Sequence, residues 1–285
     1  MGTAAQLVVD VSEDGINNWT QYLPTGRCKT PPGLALFNNR LWLANVSTSY
    51  SNLLAISSSA AGTDWDPFVD IAGQSKFGPS MVAFGGALRM AIVANNNSNE
   101  LLMSSSDNGY DWKTFDQVGG SSKAAPSLAV FNGRLWMAIV ANNSSNELLI
   151  SSYDDSTGWQ GFTQVGGSSK FAPSLAVFNG RLWMAIVANN GSNELLISSS
   201  ADGLTWETFA QVGGSAASAP TITAFKNKLW MAISANNASV QLLLSSSDDG
   251  ALWSPFPTIP GTSVAGPTLC GSGTNLCVAY ETYWP

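Results

Sequence analysis

The chain has no histidine, three cysteines and only 12 lysines and arginines among 285 residues. Without histidine, most metal centres, Ser-His-Asp triads and imidazole proton shuttles are excluded, and no cofactor is expected. Three cysteines do not make a disulfide framework. The basic residues form no run and the net charge is −7, so neither nucleic acid nor an anionic membrane surface is expected as the main partner. No apolar run approaches the ~18–20 residues that a membrane-spanning helix needs. Residues 1–6 lack the basic and hydrophobic segments of a secretory leader, so no signal is expected there. The compartment stays open on this basis, extracellular after loss of a leader or cytoplasmic.

What is present is a repeat of 47 residues. Pro32, Pro79, Pro126, Pro173, Pro220 and Pro267 keep that spacing, and Trp19, Trp65, Trp112, Trp159, Trp206 and Trp253 keep it with one step of 46. Six units account for 282 of the 285 residues. With 45% hydrophobic residues the chain can bury a large core, and no stretch shows helical periodicity. A period of about 40–50 residues with strand-like content predicts one propeller blade per repeat. The expected fold is therefore all-β, a six-bladed β-propeller with four antiparallel strands per blade, and residues 1–285 form one domain.

One repeat reads strand by strand. Residues 126–131 predict the inner strand A, and Asn132-Gly133 is a type I′ hairpin signal. Residues 134–141 predict strand B, apolar almost throughout because both faces meet neighbouring blades. Residues 147–152 predict strand C, and strand D follows Trp159. Residues 6–24 match strands C and D, while 267–283 match A and B, so the last blade draws two strands from each chain end. Such closure removes free sheet edges. Cys270 and Cys277 fall opposite each other in that blade's A–B hairpin, as a cross-strand disulfide or two reduced, buried thiols. Cys28 has no evident partner.

Before the repeated tryptophan, Ser105-x-Asp107-x-Gly109-x-x-Trp112 and Ser246-x-Asp248-x-Gly250-x-x-Trp253 fit the pattern S-x-D-x-G-x-x-W. The pattern resembles the Asp-box of sialidase-type propellers, and the other four units keep partial copies. The resemblance implies a structural turn on the face away from the active site, so Asp107 and Asp248 are expected to hold the turn. The resembling sialidases use three arginines, a Tyr–Glu nucleophile pair and an aspartate acid. Here Arg40, Arg134 and Arg181 occupy one repeated position spread around the ring, leaving Arg27 and Arg89. Two arginines do not make that triad.

The opposite face, formed by the D–A and B–C connections, repeats a polar set. Its members are Lys76, Lys123 and Lys170 with Asn95, Glu100, Asn142, Glu147, Asn189, Glu194, Asn236 and Gln241. Amide, carboxylate and ammonium groups at a blade junction suit sugar hydroxyls, and several junctions would add avidity. The plainer alternative is that Asn, Ser and Gly are good loop formers and the charges are solvated. Trp42, Trp136, Trp183 and Trp230 of strand B are read as core rather than as sugar platforms.

The plan is similar to that of multivalent lectin propellers. The expectation is a monomeric, non-catalytic lectin that binds glycans at these repeated sites. The alternatives are a protein-interaction propeller without sugar binding, and a divergent glycosidase. For the last, Glu281 and the repeated glutamates would meet across the channel, or a unique pocket would form near Tyr280, Glu281 and Tyr283.

Overall fold

The computed structural model describes residues 6–26, 28–48 and 51–282. Among them every regular element is a β-strand, in six antiparallel sheets whose strands run from A at the axis to D at the rim. The six-bladed propeller is as expected. Blade three comprises Ser127–Phe131 (A), Arg134–Val140 (B), Glu147–Asp154 (C) and Thr163–Ser168 (D), with the short strand Gly158–Trp159 added beside C. The A–B turn takes left-handed conformations at Asn132 (φ 49°) and Gly133 (φ 72°), as a type I′ hairpin requires. Strand B is buried from Leu135 to Val140, and each enclosed large side chain contributes roughly 1.5–3 kcal/mol.

Blade six joins the two ends of the chain. Gln6–Ser12 pairs with Asn275–Thr282 from Gln6↔Thr282 to Ser12↔Leu276, flanked by Thr20–Tyr22 outside and Thr268–Ser272 inside. A hydroxyl ladder links the inner strands around the axis. Ser80, Ser127, Ser174 and Thr221 each accept from a backbone N–H one blade on (Leu128, Leu175, Ile222, Leu269) at 2.9–3.1 Å. Thr268 closes the ring, donating to the Pro32 carbonyl at 2.7 Å. Tyr283 and Arg27 lie outside the described residues.

The C–D turns differ from the expected frame by one residue. In blade two, Ser106 Oγ accepts from Gly109 N at 2.8 Å, and Asn108 Oδ1 accepts from Tyr110 N and Asp111 N at 2.9 and 2.8 Å. Asp249, Asp202 and Asp14 hold the equivalent turns of blades five, four and six. The anchors are thus Asn108 and Asp249 rather than Asp107 and Asp248; Asp248 instead pairs with Lys228 at the surface. Three consecutive serines end strand C, and strand alternation turns the last of them, Ser106, toward the turn.

The strand-B tryptophans are core, as read. Trp42, Trp136, Trp183 and Trp230 are buried and donate to the carbonyls of Phe37, Phe131, Phe178 and Phe225 at 3.0–3.1 Å. Cys270 and Cys277 are register partners and both thiols are free.

Candidate functional site

The repeated polar set does come together, largely on itself. Lys76 and Lys170 donate to Asn99 and Asn193 at 2.7 Å, and Lys123 donates to the Asn143 carbonyl. Asn52, Asn99, Asn146 and Asn193 reach across the junctions to Asn95, Asn142, Asn189 and Asn236 of the following blade, at 2.9–3.3 Å. These four donors hold left-handed backbone at φ 52–58°, a conformation Asn tolerates better than most residues. The result is an amide clasp from blade to blade. Glu100, Glu147 and Glu194 open strand C beside it, Glu194 accepting from Asn190 at 3.5 Å. Gln241 opens strand C of blade five at the same repeat position and forms part of the wall of the cleft described below.

On the axis, a cavity of about 170 Å³ lies inside the ring of prolines, and one of about 420 Å³ lies among the strand-A side chains. No aspartate or glutamate lines either cavity. Glu281 does not face the channel. It is buried against Cys28, whose thiol donates to Oε2 at 3.8 Å, and burial raises its pKa. The expectation of glutamates meeting across the channel does not hold for these residues.

The repeat breaks at one junction, between blades five and six. The 47-residue equivalents of Asp10 are Ser57, Ser104, Ser151, Ser198 and Ser245. Each of these donates to a carbonyl of the segment that leads into strand D (Asp66, Lys113, Gln160, Glu207, Ser254) at 2.5–2.7 Å. The equivalents of Gln21 are Phe68, Phe115, Phe162, Phe209 and Phe256. Those of Tyr280 are Asn45, Ile92, Ile139, Ile186 and Ile233. Three substitutions far apart in sequence therefore meet in one place. Asp10 and Gln21 are register partners, Tyr280 Oη donates to Asp10 Oδ2 at 2.8 Å, and Gln21 Nε2 donates to Tyr280 Oη at 3.3 Å.

The loss of the phenylalanine opens the junction. At three other junctions that ring presses on a crossover glycine: a Cβ on Gly73, Gly120 or Gly167 would stand 2.8–3.3 Å from Phe115, Phe162 or Phe209, whereas Gly214 has no such contact. At the equivalent Gly261 (φ 98°) the Tyr280 hydroxyl approaches instead, 2.3 Å from where a Cβ would be. Beside it opens a cleft of about 680 Å³, lined by Gln6, Gln21, Gln241, Thr258, Thr262 and Tyr280 among others, with no charged residue. Gln21 is exposed, and Tyr280 and Asp10 lie buried behind it.

The electrostatics are unusual for a carboxyl. Burial pushes the Asp10 pKa up from 3.8 to about 6, partly offset by hydrogen bonds from Tyr280 and Gln21. Asp10 Oδ1 is buried without a hydrogen-bond partner, and so is Trp19 Nε1. Burial and the neighbouring Asp10 also raise the Tyr280 pKa. A carboxyl poised near 6 and linked to a phenol can hold or release a proton at mildly acidic to neutral pH. Sequence reading singled out Tyr280 but not Asp10 or Gln21. The available signal was their departure from the repeat when aligned by strand rather than by the tryptophan.

No family model matches the sequence, and no curated protein matches it. Solved structures do share its architecture. A Penicillium chrysogenum α-L-arabinanase complexed with arabinobiose aligns over 99% of this chain and 98% of its own, with TM-score 0.66 and 12% identity. A Fusarium graminearum α-L-arabinofuranosidase with an iminosugar inhibitor aligns over the same shares, with TM-score 0.63 and 15% identity. A Clostridium thermocellum α-L-arabinofuranosidase covers 83% of this chain and 95% of its own, with TM-score 0.55 and 12% identity. At these identities the likeness shows the fold. It also overturns the inference from this plan to a non-catalytic lectin, since propellers of the same extent are glycosidases. The step from this plan to a lectin without catalysis is therefore withdrawn, both for the lectin assignment and for the expected lack of catalysis.

Proposed function

We propose that the protein is a carbohydrate-active enzyme of the glycoside-hydrolase type, with its reaction centre in the cleft between blades five and six. The observation that carries this is the joint replacement of the residues usual in the repeat, Ser, Phe and Ile, by Asp10, Gln21 and Tyr280, which meet beside the cleft between blades five and six. The arabinanase complexed with arabinobiose, and a compost-metagenome β-xylosidase/α-arabinofuranosidase of the same fold in complex with xylotriose, support a neutral glycan as substrate, as does a cleft whose hydrogen-bonding groups are amides and hydroxyls. Glycans are then the partner, met as substrate. The C–D turns we read as Asp-box-like, structural, and remote from this cleft.

In this mechanism Asp10 and Tyr280 work as a relay. Gln21 turns aside and a glycosidic oxygen reaches the Tyr280 hydroxyl. With Asp10 protonated on Oδ2 the hydrogen bond reverses: Asp10 donates to the Tyr280 oxygen and the phenol hydrogen turns to the glycosidic oxygen. Tyr280 gives that proton and takes the proton of Asp10 as the C1–O bond breaks. Water then adds to C1, and its proton returns through Tyr280 to Asp10. Glycosidases commonly divide these steps between two carboxyls; the cleft lining itself holds none, and Asp10 reaches it through Tyr280, so both steps are assigned to the same relay.

The test is release of reducing ends from arabinan, xylan and their oligosaccharides by the purified protein. Activity should decline as pH rises through about 6, where Asp10 loses its proton. Tyr280→Phe, which keeps the ring and removes the relay, should lower kcat about 10²–10⁴-fold. Hydrolysis untouched by Tyr280→Phe would refute this centre.

A further inference from the structure

A second pocket lies at the other end of the blades, between three and four, and the chain itself shows what fits it. The cavity, about 410 Å³, is lined by Arg134, Trp136, Ser152, Gln160 and Leu204 among others. Two repeats earlier, between blades one and two, the equivalent residues are Arg40, Trp42, Ser58, Asp66 and Tyr110, each 94 positions before its counterpart. There the space holds a side chain. The Tyr110 ring meets Trp42 edge to face with centroids 4.9 Å apart. Its hydroxyl lies 3.0 Å from Ser58 Oγ and donates to Asp66 Oδ2 at 3.1 Å. Arg40 completes the network through Ser58 and Asp66.

Between blades three and four Arg134, Trp136 and Ser152 are retained and the occupant is gone. Gln160 stands for Asp66, with its Nε2 donating to Thr157 and the Gly158 carbonyl, and Arg134 pairs with Asp154. Trp136 is buried with its indole N–H satisfied by Phe131, leaving its ring as an apolar wall. Ser152 accepts from Arg134 at 3.4 Å, as Ser58 does from Arg40. Leu204, in place of Tyr110, points to solvent with 62% of its surface exposed. We infer that this pocket binds a phenolic ring, seated against Trp136 with its hydroxyl on Ser152 and Gln160, as Tyr110 sits on Trp42, Ser58 and Asp66. The inference rests on internal symmetry and is independent of the cleft between blades five and six.

The probe is 4-methylphenol, which is the tyrosine side chain as a free molecule. Titration followed by calorimetry and tryptophan fluorescence should show saturable binding to the wild-type chain, with toluene at least tenfold weaker for want of the hydroxyl. Leu204→Tyr should fill the pocket from within, as Tyr110 does, and remove one equivalent of binding. Tyr110→Leu should empty the other pocket and add one. Melting curves confirm that both variants fold, since each reproduces a residue already present at the same place in the repeat. Binding of 4-methylphenol to Leu204→Tyr with unchanged stoichiometry, or no binding to the wild type up to the solubility of the probe, overturns the inference.

Discussion

At the scale of single residues, the costliest feature is Asp10. A buried carboxyl with one unpartnered oxygen replaces a hydroxyl that five other blades use to bond the segment leading into strand D. Its pKa rises from 3.8 unfolded to about 6 folded, so the folded chain holds this proton more tightly than the unfolded chain. Stability is therefore fullest below about pH 4 and falls as pH rises through about 6. Near neutral pH the loss from Asp10 is about 3 kcal/mol. Urea unfolding between pH 4 and 8 should show this slope, and Asp10→Ser should remove most of it and melt higher at pH 7. Glu281, raised by burial in the same direction, leaves a residual slope in that variant. An unchanged slope would show that Asp10 does not titrate as the geometry requires. The cysteines are inert for a similar reason: burial pushes the Cys277 thiol up to about 11 and the Cys270 thiol to about 12. Thiol reagents should not label the fully buried Cys277 at neutral pH until the protein unfolds, and should label the half-buried Cys270 only slowly.

At the scale of elements, the clasps and turns divide the labour of holding blades in register. The clasp needs asparagine at left-handed φ, yet blade five places Val240 there at φ 42°. A β-branched residue in that region is strained by roughly 1–2 kcal/mol. Val240→Asn should raise the melting temperature, and Asn99→Ala, which loses both the clasp to Asn142 and the Lys76 contact, should lower it. In the C–D turns, Asp249→Ala should lower the melting temperature because two backbone N–H groups lose their acceptor. Asp248→Ala should do little, since its partner Lys228 is a surface ion pair. Had the expected frame been correct, these two outcomes would be reversed. The pattern Ser-Ser-Ser-Asp-Asn-Gly offers two overlapping frames, and only the direction in which Ser106 points selects between them. The strands, their order and the hairpin turns were legible because short apolar runs such as 134–141 and Asn-Gly signals are local and recur every 47 residues. The frame of the turn was not, because it depends on strand alternation counted from the core.

At the scale of the whole molecule, the same symmetry that made the architecture plain hid the site. Six copies of Pro and Trp announce a ring, and the composite sixth blade follows from the phase of the repeat at the two ends. Deleting residues 1–24 should expose the outer edge of Asn275–Thr282 and give insoluble or oligomeric protein; a soluble, equally stable monomer would contradict closure by the two ends. Repetition also drew attention to residues that recur, whereas the cleft is built from residues that do not. Asp10 and Tyr280 are 270 positions apart, and Gln21 falls out of line with its phenylalanine equivalents if Trp19 sets the alignment, because Trp19 is one of the residues with the 46-residue step. The triple variant Asp10→Ser, Gln21→Phe, Tyr280→Ile returns this junction to the sequence of its neighbours and tests the central claim most directly. Measured beside the wild type, it should fold, melt higher at pH 7 and lose release of reducing ends from arabinan and xylan. A triple variant that folds and retains the wild-type kcat/KM would contradict the placement of the reaction centre in this cleft.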